Sequence, residues 1–294
     1  MIENIQEKAP PPLLAGPAEK QRELRTMMRG LGRVLVAYSG GVDSTYLAEL
    51  ATAELGSNAW CITGISASVS EFQRNQATEI AESRGFNFRT VATEELANAN
   101  YAANGADRCF FCKDELYARL ATEADELGAV VIDGTNADDL LDHRPGRVAG
   151  GNHGVRSPLA ELGFSKEDIR RASKELGLPT WDIPASPCLS SRIATGVPVT
   201  IERLGKVERS EAFLRALGFR EFRVRLHDKL ARIEVSRDEM VRMMDQATID
   251  AVNKKFSSIG FRYITLDLQG FRSGSTGARP LQDTNLIQIS KLES

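Results

Sequence analysis

Cysteine and histidine are scarce in this 294-residue chain, with four of the first and three of the second. Four cysteines cannot build a disulfide framework over this length, which points to a reducing cytoplasm. His143, His153 and His227 stand at no ligand-like spacing from a cysteine pair, so a four-ligand structural zinc site has too few candidates. No apolar run approaches the ~20 residues a membrane span requires, and no membrane partner is expected. Aromatic residues are 6% of the chain and the formal net charge is -3. Both argue against a nucleic-acid partner, which would need a basic surface with stacking rings. Also missing is any GxxxxGK[ST] string, which excludes a Walker-type phosphate loop. The first 18 residues hold acids and a proline cluster but no basic stretch feeding an apolar core. They read as a disordered tail, not a leader.

What is present is the composition of an ordinary soluble protein, 42% hydrophobic and 26% charged, at a length that favours two domains. From Arg33 to about Gly134, short β-branched runs alternate with longer amphipathic stretches. RVLVAY precedes a helix that carries Leu47, Leu50, Ala51 and Leu55 at helical spacing, and AWCITGI precedes a helix over 70–84. FRTVA and AVVID are a third and fourth strand, the last following a helix that begins near Lys113. This order predicts an α/β domain, Rossmann-like, with a parallel sheet covered on both faces. Ser165 and Asp168 form a capping box ahead of Ile169, Ala172 and Leu176, and Gly177 and Pro179 close that helix. After Pro198 the pattern changes to a helix over 201–217, strands EFRVRL and ARIEV, a helix over 237–255, and a strand FRYITLDL. That predicts a smaller α+β domain with a mainly antiparallel sheet. The expected boundaries are a tail over 1–18, a first domain over 19–197 and a second over 198–294.

A turn between a strand and a helix needs one glycine at most, yet SGGVDS uses two, flanked by hydroxyls. Gly40 and Gly41 open backbone geometry closed to other residues and let amide N–H groups approach an anion. The helix that begins near Asp43 adds its positive dipole end. Ser39 and Ser44 offer hydroxyls to phosphate oxygens, while Asp43, of the wrong sign for phosphate, suits a cap or Mg²⁺. An isolated Gly-Gly more often serves packing; the whole string of strand, hydroxyl, glycines, Asp, Ser and helix favours a site. It resembles the PP-loop of ATP pyrophosphatases, which implies ATP as cosubstrate, attack of a substrate oxygen on the α-phosphate, and catalytic or binding roles for Ser39, Gly40, Gly41, Val42, Asp43 and Ser44. Gly134, Thr135 and Asn136, at the end of the fourth strand, should lie near the adenosine.

Cys109 and Cys112 form a C-x-x-C at the head of a helix, and Cys188 lies in the proline-bounded loop PASPCLSSR. The pair alone suits half a zinc site, a redox couple or coincidence; with Cys188 it also suits a [4Fe–4S] cluster with one open iron. Arg192, four residues after Cys188, favours a thiolate there. Cys61, mid-strand among apolar neighbours, reads as an inert core residue.

The strings SGGVDS, RCFFCKDELY, DGTNADDLLDHRPG, VRSPL and PASPCLSSRI occur in the order found in LarE-type ATP-dependent sulfur transferases. RVRLHDKLARIEV and YITLDLQGFRSGS extend the resemblance through the second domain, from about Gln21 to Thr276. It implies adenylation of a carboxylate on pyridinium dicarboxylate mononucleotide, then conversion to a thiocarboxylate, in biosynthesis of the nickel-pincer nucleotide cofactor of lactate racemase. In single-cysteine members the residue matching Cys188 gives up its own sulfur. The extra pair here resembles the cluster-dependent thiolases instead, with Cys109, Cys112 and Cys188 on a [4Fe–4S] cluster and an external sulfide donor. A homo-oligomer is also implied.

In the second domain, Glu211 falls on or beside the apolar stripe of Ile201, Leu204, Val207, Leu214 and Leu217. A carboxylate there must be paired, reach the rim or bind metal. The resemblance favours a divalent metal or substrate. Arg223 and Arg225 share one face of EFRVRL, opposite Phe222, Val224 and Leu226. Strand pattern alone makes that face a solvated one; the resemblance makes it, with Arg192, a clamp for the substrate phosphate. Asp138, Asp139 and Asp142 exceed what a simple turn needs, though helix capping explains at least one. A tRNA thiolase lacks an RNA-binding surface here, and an ammonia-dependent amidotransferase leaves three cysteines idle. A nucleotide-sensing binding protein differs in having no substrate-dependent pyrophosphate release.

Overall fold

The side chains of β1 (Val34–Ala37) alternate between two apolar cores, and that alternation makes the first domain three-layered. Val34 and Val36 pack with the helices Pro17–Leu31, Val42–Leu55, Glu71–Ser83 and Lys166–Glu175, whereas Leu35 packs with Arg108–Leu127 and Pro145–Asn152. These are features of a computed structural model, which describes residues 16–141, 145–184 and 186–272. Asp142 and His143 lie outside the described residues.

Beside β1 run β2 (Ala59–Ile65), β3 (Asn87–Ala92) and β4 (Val130–Ile132), all parallel, in the order β3-β2-β1-β4. Val34 pairs with Ala59 on one side and Val130 on the other. The chain moves outward from β1 through β2 to β3, then returns to lay β4 on the opposite side of β1. Strand order therefore reverses between β1 and β4, where ligands of open α/β sheets bind. The parallel sheet with helices on both faces is the expected α/β class. Both expected helix starts are capping boxes, Ser70 with Gln73 and Ser165 with Asp168, each worth about 1 kcal/mol. Order begins earlier than read from sequence. Pro17 opens the first helix, where its missing N–H costs nothing, so Pro17 and Ala18 are helical.

The second domain holds β5 (Phe222–His227), β6 (Leu230–Val235) and β7 (Tyr263–Leu266). Its core joins Leu204, Val207 and Leu214 of the helix Ile201–Ala216 to Val224, Ile233 and Phe256. Tyr101, Leu189 and Ile193 are buried in the same core, so the segment after Cys188 is fastened to it. Two expectations need correction. β5 and β6 are antiparallel, but β7 runs parallel to β6, because the helix Gln246–Ile259 carries the chain across the sheet and returns it in the same direction. The single helix expected over 237–255 is broken into Arg237–Glu239, Met240–Met243 and Gln246–Ile259. The break falls where Asp245 turns extended and accepts from Thr248 N–H. Among the described residues no helix is long and apolar enough to cross a membrane.

Candidate active site

The glycine turn is cramped as well as flexible. Gly40 has φ of 71°, and a Cβ there would stand 2.9 Å from Ala77 Cα. Any other residue would clash with backbone. A Cβ on Gly134 would stand 2.9 Å from Ser44 N, so the end of β4 lies directly on the first turn of the loop's helix. Ser39 and Ser44 hold the turn: their hydroxyls are 3.1 Å apart, Ser39 N–H donates to Ser44 Oγ at 3.2 Å, and Ser44 Oγ donates to Gly41 O at 3.2 Å. Gly41 N-caps the helix Val42–Leu55 without a side-chain cap, leaving that helix start open to an anion. Val42 itself is a core residue, so it offers the site its backbone only.

Asp43 points one oxygen, Oδ2, at Lys166 Nζ in an ion pair. Its other oxygen, Oδ1, is buried with no hydrogen-bond partner among the described residues. Burial pushes its carboxyl pKa up, helped by Asp139, while Lys166 and the nearby Asn136 side chain oppose that. Beside it Asn136 is the hub of the β4 turn. Its side-chain oxygen accepts from Asp138 N–H at 3.0 Å and Asp139 N–H at 3.2 Å, and its own N–H donates to Asp139 Oδ2 at 3.1 Å. Asp138 also accepts from Lys166 N–H at 2.8 Å. Asp138 and Asp139 thus anchor the turn and the neighbouring helix start. Thr135 donates twice to Asp133, through N–H at 3.1 Å and Oγ1 at 2.9 Å.

Cys109 is exposed, Cys112 and Cys188 are half-buried, and all three are free thiols. The pair occupies the first turn of Arg108–Leu127, at the carboxyl side of the sheet. Burial pushes the Cys112 thiol up, and the charges of Cys188, Glu95 and Cys109 push it further, so Cys112 lies within electrostatic reach of both other cysteines. Among the described residues no three His, Cys, Asp or Glu side chains are grouped to hold a metal ion. Cys188 is tied to the end of β2: Leu189 N–H donates to Ser68 O at 2.8 Å, and Tyr101 OH bridges Ser68 Oγ at 2.6 Å and Ser190 Oγ at 2.5 Å. Cys61 is buried, its thiol pushed up to about 12 by burial alone.

The arginines are not on a solvated face. Arg192, Arg223 and Arg225 are 5%, 3% and 5% exposed. Arg192 makes a fork to Glu211 at 2.9 and 3.3 Å and donates to the carbonyls of Pro187 and Cys188, bracing the cysteine loop. Glu211 also accepts from Val224 N–H at 3.1 Å, so a divalent metal there would have to displace the arginine. Arg225 pairs with Glu234 at 3.0 Å and donates to Ser191 O at 2.9 Å. Arg223 differs from both. Among the described residues it makes no hydrogen bond or ion pair; it stacks on the Phe271 ring 4.7 Å away and stands opposite Glu234 in the strand pair. Burial first, then Arg192 and Arg225, pull its pKa down to about 10.

The sequence that builds this turn has known relatives. The chain is 38% identical over 260 residues to the pyridinium-3,5-bisthiocarboxylic acid mononucleotide synthase of Lactiplantibacillus plantarum, covering 87% of this chain and 93% of that protein. The chain belongs to the LarE-type family of ATP-dependent sulfur transferases. An uncharacterised protein of Synechocystis is 46% identical over 256 residues, 87% of this chain and 96% of its own. A glutamine-hydrolysing GMP synthase component of Methanopyrus kandleri, 26% identical over 213 residues, covers 66% of this chain and 67% of its own, in line with a PP-loop. No protein-family model matches the chain.

In this LarE-type chain three residues near the turn escaped the sequence reading. Lys166 left one trace: a lysine in the first position of a helix opposes the dipole. Glu95 is 3% exposed and hydrogen-bonded to Ser66 Oγ, with Oε2 buried and unpartnered among the described residues. Nothing in its 3-10 turn, Glu95–Ala97, foretells that burial. Lys113 donates to Tyr117 OH at 3.3 Å, and Tyr117 OH donates to Asp133 Oδ2 at 2.7 Å. Burial works against the ammonium, yet Tyr117 and Asp133 outweigh it and raise its pKa.

Proposed function

We propose that the protein adenylates a carboxylate of pyridinium dicarboxylate mononucleotide and replaces a carboxylate oxygen with sulfur, as the name of the Lactiplantibacillus relative describes for that enzyme. The observation that carries this reading is a pair of candidate anion subsites, one on each domain. One is the uncapped helix start at Ser39 to Ser44; the other is Arg223, a buried guanidinium that makes no ion pair among the described residues. A buried cation left in that state is costly unless a ligand completes it.

On this reading the amides of Gly40 to Ser44 and the hydroxyls of Ser39 and Ser44 receive the ATP phosphates, and Gly134, Thr135 and Asn136 flank the nucleoside. Mg²⁺ fits Asp43, whose Oδ1 is a buried carboxylate oxygen in need of a partner. When bound, the ion offsets the charge that develops on pyrophosphate. Arg223 takes the substrate phosphate, with Arg192 and Arg225 held behind it by Glu211 and Glu234. A carboxylate oxygen attacks the α-phosphorus, the bond to the bridging oxygen breaks, and pyrophosphate leaves. Sulfur then adds to the activated carbon at Cys188, and AMP departs.

Cys109, Cys112 and Cys188 would hold a [4Fe–4S] cluster. What supports this is that Cys112 lies within electrostatic reach of both Cys109 and Cys188. When bound, such a cluster supplies an open iron position able to carry sulfide from an external donor. Without it, Cys188 is the consumed donor. We propose in addition that the protein is a homo-oligomer, supported by the exposure of Val241, Met244 and Leu268 on the second domain.

The test is pyrophosphate release from ATP in response to the dicarboxylate nucleotide, with mass spectrometry of the product for sulfur-for-oxygen exchange. Release without dependence on the nucleotide would refute the reading. Iron and acid-labile sulfide per chain, lost in Cys109→Ala, separate the cluster from sacrifice of Cys188, which instead leaves dehydroalanine.

A further inference from the structure

Lys113, Tyr117, Leu120 and Ala124 form one stripe on the helix Arg108–Leu127. Tyr117, Leu120 and Ala124 are buried against Leu35, Ile62 and Val131, so this stripe faces the sheet. Tyr117 stands at the carboxyl edge, since its hydroxyl donates at 2.7 Å to Asp133, the residue after β4 ends. Lys113 is one turn nearer the helix start. It therefore overhangs the strand ends at the β1–β4 reversal.

An ammonium has three N–H donors. Among the described residues Lys113 Nζ has one hydrogen bond, to Tyr117 OH at 3.3 Å, and lies 5.0 Å from that ring's centroid. Asp133 neutralises it through Tyr117 but is itself filled, accepting from Tyr117, Thr135 N–H, Thr135 Oγ1 and Ser157 Oγ. Tyr117 thus holds the ammonium in place and leaves two donors for a ligand. On one side is Cys112, its chain neighbour. On the other is Gly134, next to Asp133 and packed on Asp43 and Ser44. On the adenylation reading, the activated carboxyl group comes from the side of Gly134 and sulfur from the side of Cys112, and Cys112 and Asp133 both act on this ammonium.

We propose that Lys113 is a catalytic residue of the sulfur-transfer step, its ammonium stabilising the oxyanion formed when sulfur adds to the adenylated carboxyl carbon. This rests on the adenylation reading above. Hydrosulfide donates an electron pair to the acyl carbon, and the carbonyl pair moves onto oxygen beside Lys113. As the carbonyl re-forms, the bond from carbon to the phosphate oxygen breaks and AMP leaves with that pair. A hydrosulfide proton passes to water, leaving the thiocarboxylate, and no electron is gained or lost. The charge on oxygen exists only during this step, which is where a fixed cation counts most.

Single turnovers of wild type, Lys113→Gln and Lys113→Arg would be followed with ATP, Mg²⁺, hydrosulfide and the pyridinium dicarboxylate mononucleotide. Pyrophosphate reads adenylation, thiocarboxylate reads sulfur transfer, and hydroxylamine traps the acyl adenylate as a hydroxamate. Lys113→Gln should release pyrophosphate within about threefold of wild type, yet form thiocarboxylate about 100-fold more slowly or worse. Trappable adenylate should accumulate, and Lys113→Arg should recover part of the loss. Unchanged sulfur transfer would overturn the proposal, as would an equal fall in both steps in a variant that melts like wild type. Should Lys113→Gln fail to fold, Lys113→Arg decides, because a displaced charge must slow sulfur transfer more than pyrophosphate release. Absence of substrate-dependent pyrophosphate release in wild type would remove the adenylation reading and this role together; a defect confined to the variants bears on Lys113 alone.

Discussion

Replacing Arg223 by Met should make the protein more stable and a worse enzyme. The guanidinium is 3% exposed, makes no ion pair among the described residues, and lies near Arg192 and Arg225, whose effect outweighs that of Glu234 and Glu211. Its pKa falls from 12.5 to about 10, which corresponds to a folding cost of about 3 kcal/mol as an upper bound. Solvent screening and the stack on Phe271 reduce this to about 1 kcal/mol. The group is basic and its folded pKa is the lower one, so the cost is present in full below pH about 10 and fades only as pH rises through and above that value. At neutral pH Arg223→Met should therefore gain about 1 kcal/mol in urea unfolding, or about 2 °C in Tm. The same change removes charge-assisted bonds to a phosphate worth about 1.5–3 kcal/mol, weakening binding of the dicarboxylate nucleotide by about 10- to 150-fold. Calorimetric titration with that nucleotide and a urea melt read the two effects separately. A variant that is less stable and binds as well as wild type would show that Arg223 serves packing against Phe271, and the phosphate subsite would be lost.

Asp43→Asn should abolish substrate-dependent pyrophosphate release, by about 100-fold or more if the residue holds Mg²⁺; wild-type rates in a continuous pyrophosphate assay would contradict that placement. Glu211→Gln leaves Arg192 buried without its anion, and a loss of about 3–5 kcal/mol is expected in urea melts. Gly40→Ala puts a Cβ 2.9 Å from Ala77 Cα at a positive φ, and should cost about 1–3 kcal/mol and ATP binding together. Cys61, its thiol pushed up to about 12, should stay unalkylated by iodoacetamide at pH 8 in the native protein while exposed Cys109 reacts, as peptide mass mapping would reveal.

How one cysteine comes to be fastened to both domains follows from the connections. Residues 189–199 are held by the first domain, where Asn104 donates to the carbonyls of Ala194 and Val197 at 2.9 and 2.8 Å. The same segment enters the second domain's core through Leu189, Ile193 and Val199. Cys188 is thus at the start of a strap shared by both domains, with Arg192 tying that strap to Glu211 on the second.

Local chemistry made much of this legible in one dimension. Two hydroxyls around Gly40 and Gly41, after a β-branched run and before a helix, mark a candidate phosphate-binding turn: the structure puts Gly40 in a backbone that favours glycine, whereas Gly41 is ordinary extended backbone, and the helix start supplies free amides. Ser70 and Ser165 mark their helices because a cap is a contact between residues three apart. The same proximity made the C-x-x-C readable as one helical face. What needed the tertiary structure was every judgement about partners distant in the chain. Arg192, Arg223 and Arg225 are alike in sequence, yet two form ion pairs with Glu211 and Glu234, and Arg223 makes none among the described residues. Strand alternation tells which face an arginine takes but not what covers that face, so burial could not be read from it. Lys166 reaches Asp43 across 123 residues, and Lys113 reaches Asp133 only through Tyr117. Sequence settled which backbone could bind an anion; only packing decided which charges were left uncompensated to meet one, because compensation depends on distance in space.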